Sequence, residues 1–156
     1  DVEFYSKKDT RTTTSNIHKF YRKWNANKIV VDSTGVGIGV FDGLREIKDI
    51  GFKAVKFKSA YKPTDKNYSN SKAETYWTLA KMLEKGMVSL SLPKLRDTQL
   101  IDELSKMKYE ISSGKVKIID PEGKSPEFAD SLAYAFYPLV SGGTVAILRG
   151  DEGLIF

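Results

Sequence analysis

Apolar and polar positions change period several times along the chain, and each change predicts an element. Ile17, Phe20, Tyr21 and Trp24 recur at i, i+3, i+4 and i+7 behind a polar cap at Thr13, the pattern of an amphipathic helix with one core face. The β-branched run at 28–32 reads as a short buried strand. A glycine-rich turn follows, then a helix over 40–50 with Leu44 and Ile47 inward, and a strand over 54–57. Ser71 and Glu74 form a capping-box pattern opening a helix over 71–85, with Tyr76, Trp77, Ala80 and Leu83 on its apolar side and Gly86 as its stop. A short strand is predicted over 2–5, a strand or turn over 87–92, and a short helix over 97–104. Residues 106–111 and 115–119, joined by Ser112-Ser113-Gly114, read as a β-hairpin. Ser125 and Pro126 suit the start of a last helix that reaches about residue 137, before Pro138. Strands alternating with helices predict an α/β fold with parallel neighbours, to which the hairpin adds an antiparallel element.

No repeat, low-complexity stretch or linker divides the 156 residues, and no apolar run reaches 18 residues, so no membrane span is expected. Residues 1–4 lack the basic flank and apolar stretch of a signal peptide. The absence of cysteine excludes thiol catalysis, disulfides and thiolate metal sites, and a single histidine, His18, excludes a multi-histidine zinc site. A metal would need carboxylate ligands. Net charge is +5, and residues 51–72 carry all of it: Lys53, Lys56, Lys58, Lys62, Lys66 and Lys72 stand against one acid, Asp65. Interleaved with Phe52, Phe57, Tyr61 and Tyr68, the strip suits a polyanion, although a solvated lysine-rich surface has the same composition.

Asp32 ends an apolar strand, directly before Ser33-Thr34-Gly35-Val36-Gly37-Ile38-Gly39. Ligands of open α/β sheets bind outside the carboxyl ends of strands, so Asp32 is either a cation ligand or a turn and helix-capping aspartate. Both nucleotide fingerprints fail: a dinucleotide motif from Gly35 meets Val40 where glycine is needed, and Gly123-Lys124-Ser125 has Ile118 at the first P-loop glycine. Asp130 lies in a helix that Phe128, Ala129, Leu132, Ala133, Ala135, Phe136 and Leu139 make apolar over most of its circumference. A carboxylate there needs a partner or a cation. Glu127, three residues earlier, projects on the same side, and the helix dipole alone accounts for it. The segment from Asn67 to Glu74 offers donors for a phosphate, or is a capped helix and nothing more. His18 is expected at the surface, and Trp24 and Trp77 in the core.

Three segments in this order resemble the C-terminal nuclease domain of the large terminase subunit of tailed bacteriophages: Val30-Val31-Asp32-Ser33-Thr34-Gly35-Val36-Gly37, Tyr68-Ser69-Asn70-Ser71-Lys72-Ala73-Glu74 and Ser125-Pro126-Glu127-Phe128-Ala129-Asp130-Ser131-Leu132. The resemblance implies a ribonuclease H-like mixed sheet flanked by helices, over 1–140, with 141–156 as a tail or peripheral strand. It implies a metal-dependent endonuclease that cuts concatemeric double-stranded viral DNA during packaging, with Mg2+ or Mn2+ as a two-metal cofactor. Asp32 and Asp130 match the family's metal-binding catalytic acids, and Glu127 an auxiliary one. The strip and hairpin imply DNA contacts from Lys56, Lys58, Lys62, Lys66, Asn70, Lys72, Lys115 and Lys117. The implied partners are duplex DNA, an ATPase motor domain, the portal and the small terminase subunit, in the host bacterial cytoplasm. A further family aspartate falls on a strand that would precede Asp1, with 2–5 as the third strand, so weak activity of the isolated chain is expected. Two alternatives share the fold: a non-enzymatic DNA-binding module, and a resolvase- or transposase-like nuclease. A doubly wound nucleotide binder is disfavoured by Val40.

Overall fold

The computed structural model describes residues 8–88, 90, 99–123 and 125–141. The strand expected over 2–5, half of 87–92 and the tail beyond 141 lie outside the described residues. The chain divides after Lys58 into two compact units.

The first unit contains α1 (Thr10–Trp24), β1 (Ile29–Asp32), α2 (Gly37–Arg45), a 3-10 turn (Gly51–Lys53) and β2 (Ala54–Phe57). β1 and β2 pair in parallel, with Ile29 opposite Ala54 and Asp32 opposite Phe57. Val31, Val40, Leu44, Ile50 and Ala54 form the core, against which Ile17, Tyr21, Ile29, Phe41 and Ile47 pack. Leu44, Ile50 and Phe57 have no exposed surface, each burial contributing about 1.5–3 kcal/mol. α1 begins three residues before the expected cap, because the Asp9 carboxylate accepts from Thr12 N at 2.8 Å and supplies the cap itself. The most buried residue of α1 is Thr14, not an aromatic one, because α2 presents Gly43 to it. A Cβ on Gly43 would stand 2.9 Å from Thr14 Oγ1. α2 starts earlier than the expected residue 40 and stops at Arg45, and residues 46–50 form turns.

The second unit contains α3 (Ser71–Glu84), α4 (Gln99–Lys106), β3 (Lys108–Ser112), β4 (Lys115–Ile119), α5 (Glu127–Tyr134) and α6 (Tyr137–Val140). The hairpin forms where expected, with Ser112 opposite Lys115 and left-handed backbone at Ser113 (φ 50°) and Gly114 (φ 73°), the signature of a type I′ turn. A parallel bridge joins Tyr68 to Val116. Among the described residues the expected mixed sheet therefore takes the form of two separate two-stranded sheets, one parallel and one antiparallel.

α3 is capped by Asn70, whose side chain accepts from Ala73 N at 2.9 Å; Ser71 is the first helical residue. Glu74 does not reach back to the cap. Its buried carboxylate accepts from Thr64 N and Asp65 N, both at 2.8 Å, and so fastens the preceding loop. The inward face of α3 runs through Ala73, Tyr76 and Leu79, while Ala80 is exposed and Trp77 half-buried against Tyr109, their rings edge-on at 5.0 Å. Trp24 is likewise half-buried, packed on Phe20. The helix begun at Glu127 breaks at Ala135–Phe136, because Pro138 lacks the N–H needed to continue it, and resumes as α6.

Candidate metal-binding and DNA-binding residues

Asp32 closes β1 with its side chain exposed. The next residue locks the strand end: Ser33 N and Oγ both donate to Phe57 O at 2.9 Å. Asp32 Oδ1 accepts from Thr34 N at 3.0 Å, an Asx turn that aims the carboxylate along the loop. Gly37 is obligatory, because a Cβ there would fall 1.8 Å from the Asp32 carbonyl oxygen. The sequence therefore bends the chain tightly behind Asp32 and leaves the residue exposed. Asp32 takes the expected turn role, but it does not cap α2, whose cap position is Val36 with no side-chain hydrogen bond.

Asp130 lies in the first turn of α5, its side chain 17% exposed. Tyr76 donates its hydroxyl to Oδ1 at 2.7 Å, and the Lys72 ammonium stands 3.0 Å from the same oxygen. Both donors come from α3, one turn apart. Lys72 also pairs with Asp120 at 2.7 Å. Burial, reinforced by the Asp130 charge and hydrogen bond, pushes the Tyr76 phenol well above its ordinary range, so it remains a donor. Lys72 is thus half-buried within the unit and engaged by two carboxylates, in contrast to the DNA contact expected of it. Glu127, the first residue of α5, is exposed.

The N-terminus of α5 has no side-chain cap of its own, since Pro126 occupies the cap position. Glu103 of α4 supplies one from 25 residues away: its Oε2 accepts from Phe128 N at 2.8 Å and Ala129 N at 2.9 Å. Sequence reasoning missed both Glu103 and Asp120. The one available signal for Glu103 was an acid on the apolar face of a short amphipathic helix, beside Leu100.

Among the other expected DNA contacts, Lys58, Lys62, Lys66 and Lys115 are exposed. Lys56 lies over the Phe41 ring, 4.6 Å from its centre. Lys117 pairs with Glu110 across the hairpin at 3.1 Å, and Asn70 is committed to capping α3. His18 is not a free surface residue: it lies 3.2 Å from Asp49, which Arg22 also binds, and the two hold Asp49 below the usual carboxylate range.

The donor set around Lys72 suits a hard cation: Asp120 and Asp130 offer carboxylate oxygens to one ammonium position. Among the described residues no group of three or more His, Cys, Asp or Glu side chains is arranged to hold a metal, and no helix is long and apolar enough to cross a membrane.

No protein-family model and no curated protein sequence matches the chain. A solved structure does: a mutant nuclease domain of the large terminase subunit gp2 of bacterial virus Sf6, determined with manganese and beta-thujaplicinol. The match covers 80% of this chain and 69% of that one, at 19% identity and a TM-score of 0.53. In fold, then, the chain is similar to the nuclease domain of a phage terminase large subunit.

Proposed function

We propose that the chain is the nuclease part of a terminase large subunit, a divalent-metal-dependent endonuclease with a ribonuclease H-like fold that cuts double-stranded viral DNA during genome packaging. The likeness of fold to a terminase nuclease domain carries this reading. It agrees with three sequence segments that point to the same family from residue identity alone.

Asp32 and Asp130 are the metal-holding carboxylates of this proposal, each fixed within its own unit. Asp32 is oriented by Thr34 N, and Asp130 by Tyr76. Glu127, exposed one turn before Asp130, is an auxiliary acid. When bound, two divalent ions supply a water activated for attack on phosphorus and stabilisation of the leaving oxygen. The exposed Lys58, Lys62, Lys66 and Lys115 attract the phosphate backbone without reading sequence. The partners are duplex DNA, an ATPase motor domain, portal and small subunit, in the host bacterial cytoplasm.

The test is conversion of supercoiled plasmid to open circles in millimolar Mn2+ and in Mg2+. Slow nicking in Mn2+, abolished by EDTA, supports a metal-dependent nuclease. Tight plasmid binding with no nicking in either metal would favour the non-enzymatic module, and preference for branched over linear duplexes the resolvase-like reading.

A further inference from the structure

The Lys72 ammonium lies directly against the Asp130 carboxylate. Its side chain is 12% exposed, and its ammonium lies 3.0 Å from Asp130 Oδ1, 3.3 Å from Oδ2 and 2.7 Å from Asp120 Oδ1. It stands 5.7 Å from the centre of the Tyr76 ring, and Tyr76 donates to the same Oδ1. One ammonium is therefore in reach of both oxygens of the Asp130 carboxylate. The second acid, Asp120, is 51% exposed and follows directly on β4. Two carboxylates and one lysine leave one negative charge in excess, so the cluster attracts a cation even with Lys72 in place.

We infer that Lys72 is a resident counter-cation, a positioning residue that a divalent ion displaces from Asp130, and that Asp120 is the anchor that keeps hold of it. A divalent ion on Asp130 and an ammonium 3 Å from the same oxygen repel each other strongly, so the two cannot share it. Lys72 has somewhere to go: Asp120 already holds its ammonium by the shorter of the two pairings. In the absence of metal, Lys72 and Tyr76 keep the Asp130 carboxylate in one orientation and offset the cost of its partial burial. The inference rests on the reading of Asp130 as a metal-holding carboxylate.

Calorimetric titration of Mn2+ into the full chain tests it, with Lys72→Met, Lys72→Arg, Asp120→Asn and Asp130→Asn. Lys72→Met removes the competitor and should tighten Mn2+ binding about fivefold, the value of a partly screened ion pair. Lys72→Arg keeps the charge and should bind as the parent does. Asp120→Asn leaves Lys72 with Asp130 alone and should weaken binding by a similar factor. A lysine that merely ties α3 to α5 would give the opposite sign or no change for Lys72→Met. Unchanged or weaker binding in that variant, with Asp130→Asn still weakening binding, would overturn the inference and leave the Asp130 reading standing. Mn2+ binding undiminished by Asp130→Asn would overturn both. Should Lys72→Met fail to fold, Asp120→Asn decides: Mn2+ binding equal to or tighter than the parent's refutes the displaced-lysine account.

Discussion

Replacing Glu103 should loosen the turn that carries Asp130. The carboxylate is only 6% exposed as a residue and accepts from Phe128 N and Ala129 N, while Gln99 Nε2 donates to its other oxygen. Ala129 has no exposed surface, so its amide has no water to turn to once Glu103 is gone. Leaving a buried donor unsatisfied costs about 1–3 kcal/mol, and loss of a negative charge from a helix N-terminus about 0.3–1 kcal/mol more. With one amide fully buried and the other partly so, Glu103→Ala should destabilise the second unit by about 2–4 kcal/mol. Glu103→Gln retains one carbonyl oxygen but no charge, and should cost about 1 kcal/mol. Urea unfolding measures this, followed by Trp77 fluorescence in a Trp24→Phe background so that the signal reports the second unit. A Glu103→Ala protein within about 0.5 kcal/mol of its parent would refute the capping argument, judged against the usual range of single substitutions. So would a glutamine variant as damaged as the alanine one.

Gly37→Ala should destabilise the first unit by more than about 2 kcal/mol, since no rotamer moves a Cβ away from the Asp32 carbonyl; a urea midpoint followed by Trp24 reads it. The Tyr76 phenol is raised in the folded state and titrates near 10 when unfolded. Its contribution is therefore complete below about pH 10 and declines above it, as the unfolded chain alone loses the proton. In EDTA, urea midpoints should fall less steeply above pH 10 for Tyr76→Phe than for the parent; parallel declines would contradict this. Replacing Lys58, Lys62 and Lys66 by Ala should weaken DNA binding for all sequences alike and reduce the salt slope by up to about 0.9 per lysine that touches phosphate. An unchanged slope would assign the three to the solvated surface.

Much of the secondary structure was legible because it is local. The hairpin turn needs left-handed backbone at two successive positions, and Ser113-Gly114 announces it. The β-branched run at 28–32 reads as a strand in any context. Errors fell where two local signals competed or a distant residue decided. At α3, Asn70 and Ser71 are both good caps, and Asn70 takes the role while Glu74 is drawn to the 64–65 loop. Thr14 outranks the aromatics of α1 in burial because of a glycine on another helix. The same division holds at the candidate site. Asp32 was legible from its strand and turn. Asp130 was legible as an expensive carboxylate, but its partners Lys72, Tyr76 and Asp120 arrive through tertiary packing, and no sequence spacing links them. The cap that Glu103 provides to α5 is invisible for the same reason.

The central claim is that Asp32 and Asp130 carry metal-dependent cleavage of DNA. Supercoiled plasmid incubated with the purified chain in millimolar Mn2+ should be nicked slowly. Asp32→Asn and Asp130→Asn should each cut that rate by about 100-fold or more while leaving the unfolding free energy from urea titration within about 1 kcal/mol of the parent, as expected for loss of a metal-holding group rather than of the fold. Mn2+-dependent nicking that persists undiminished in both variants would contradict the account.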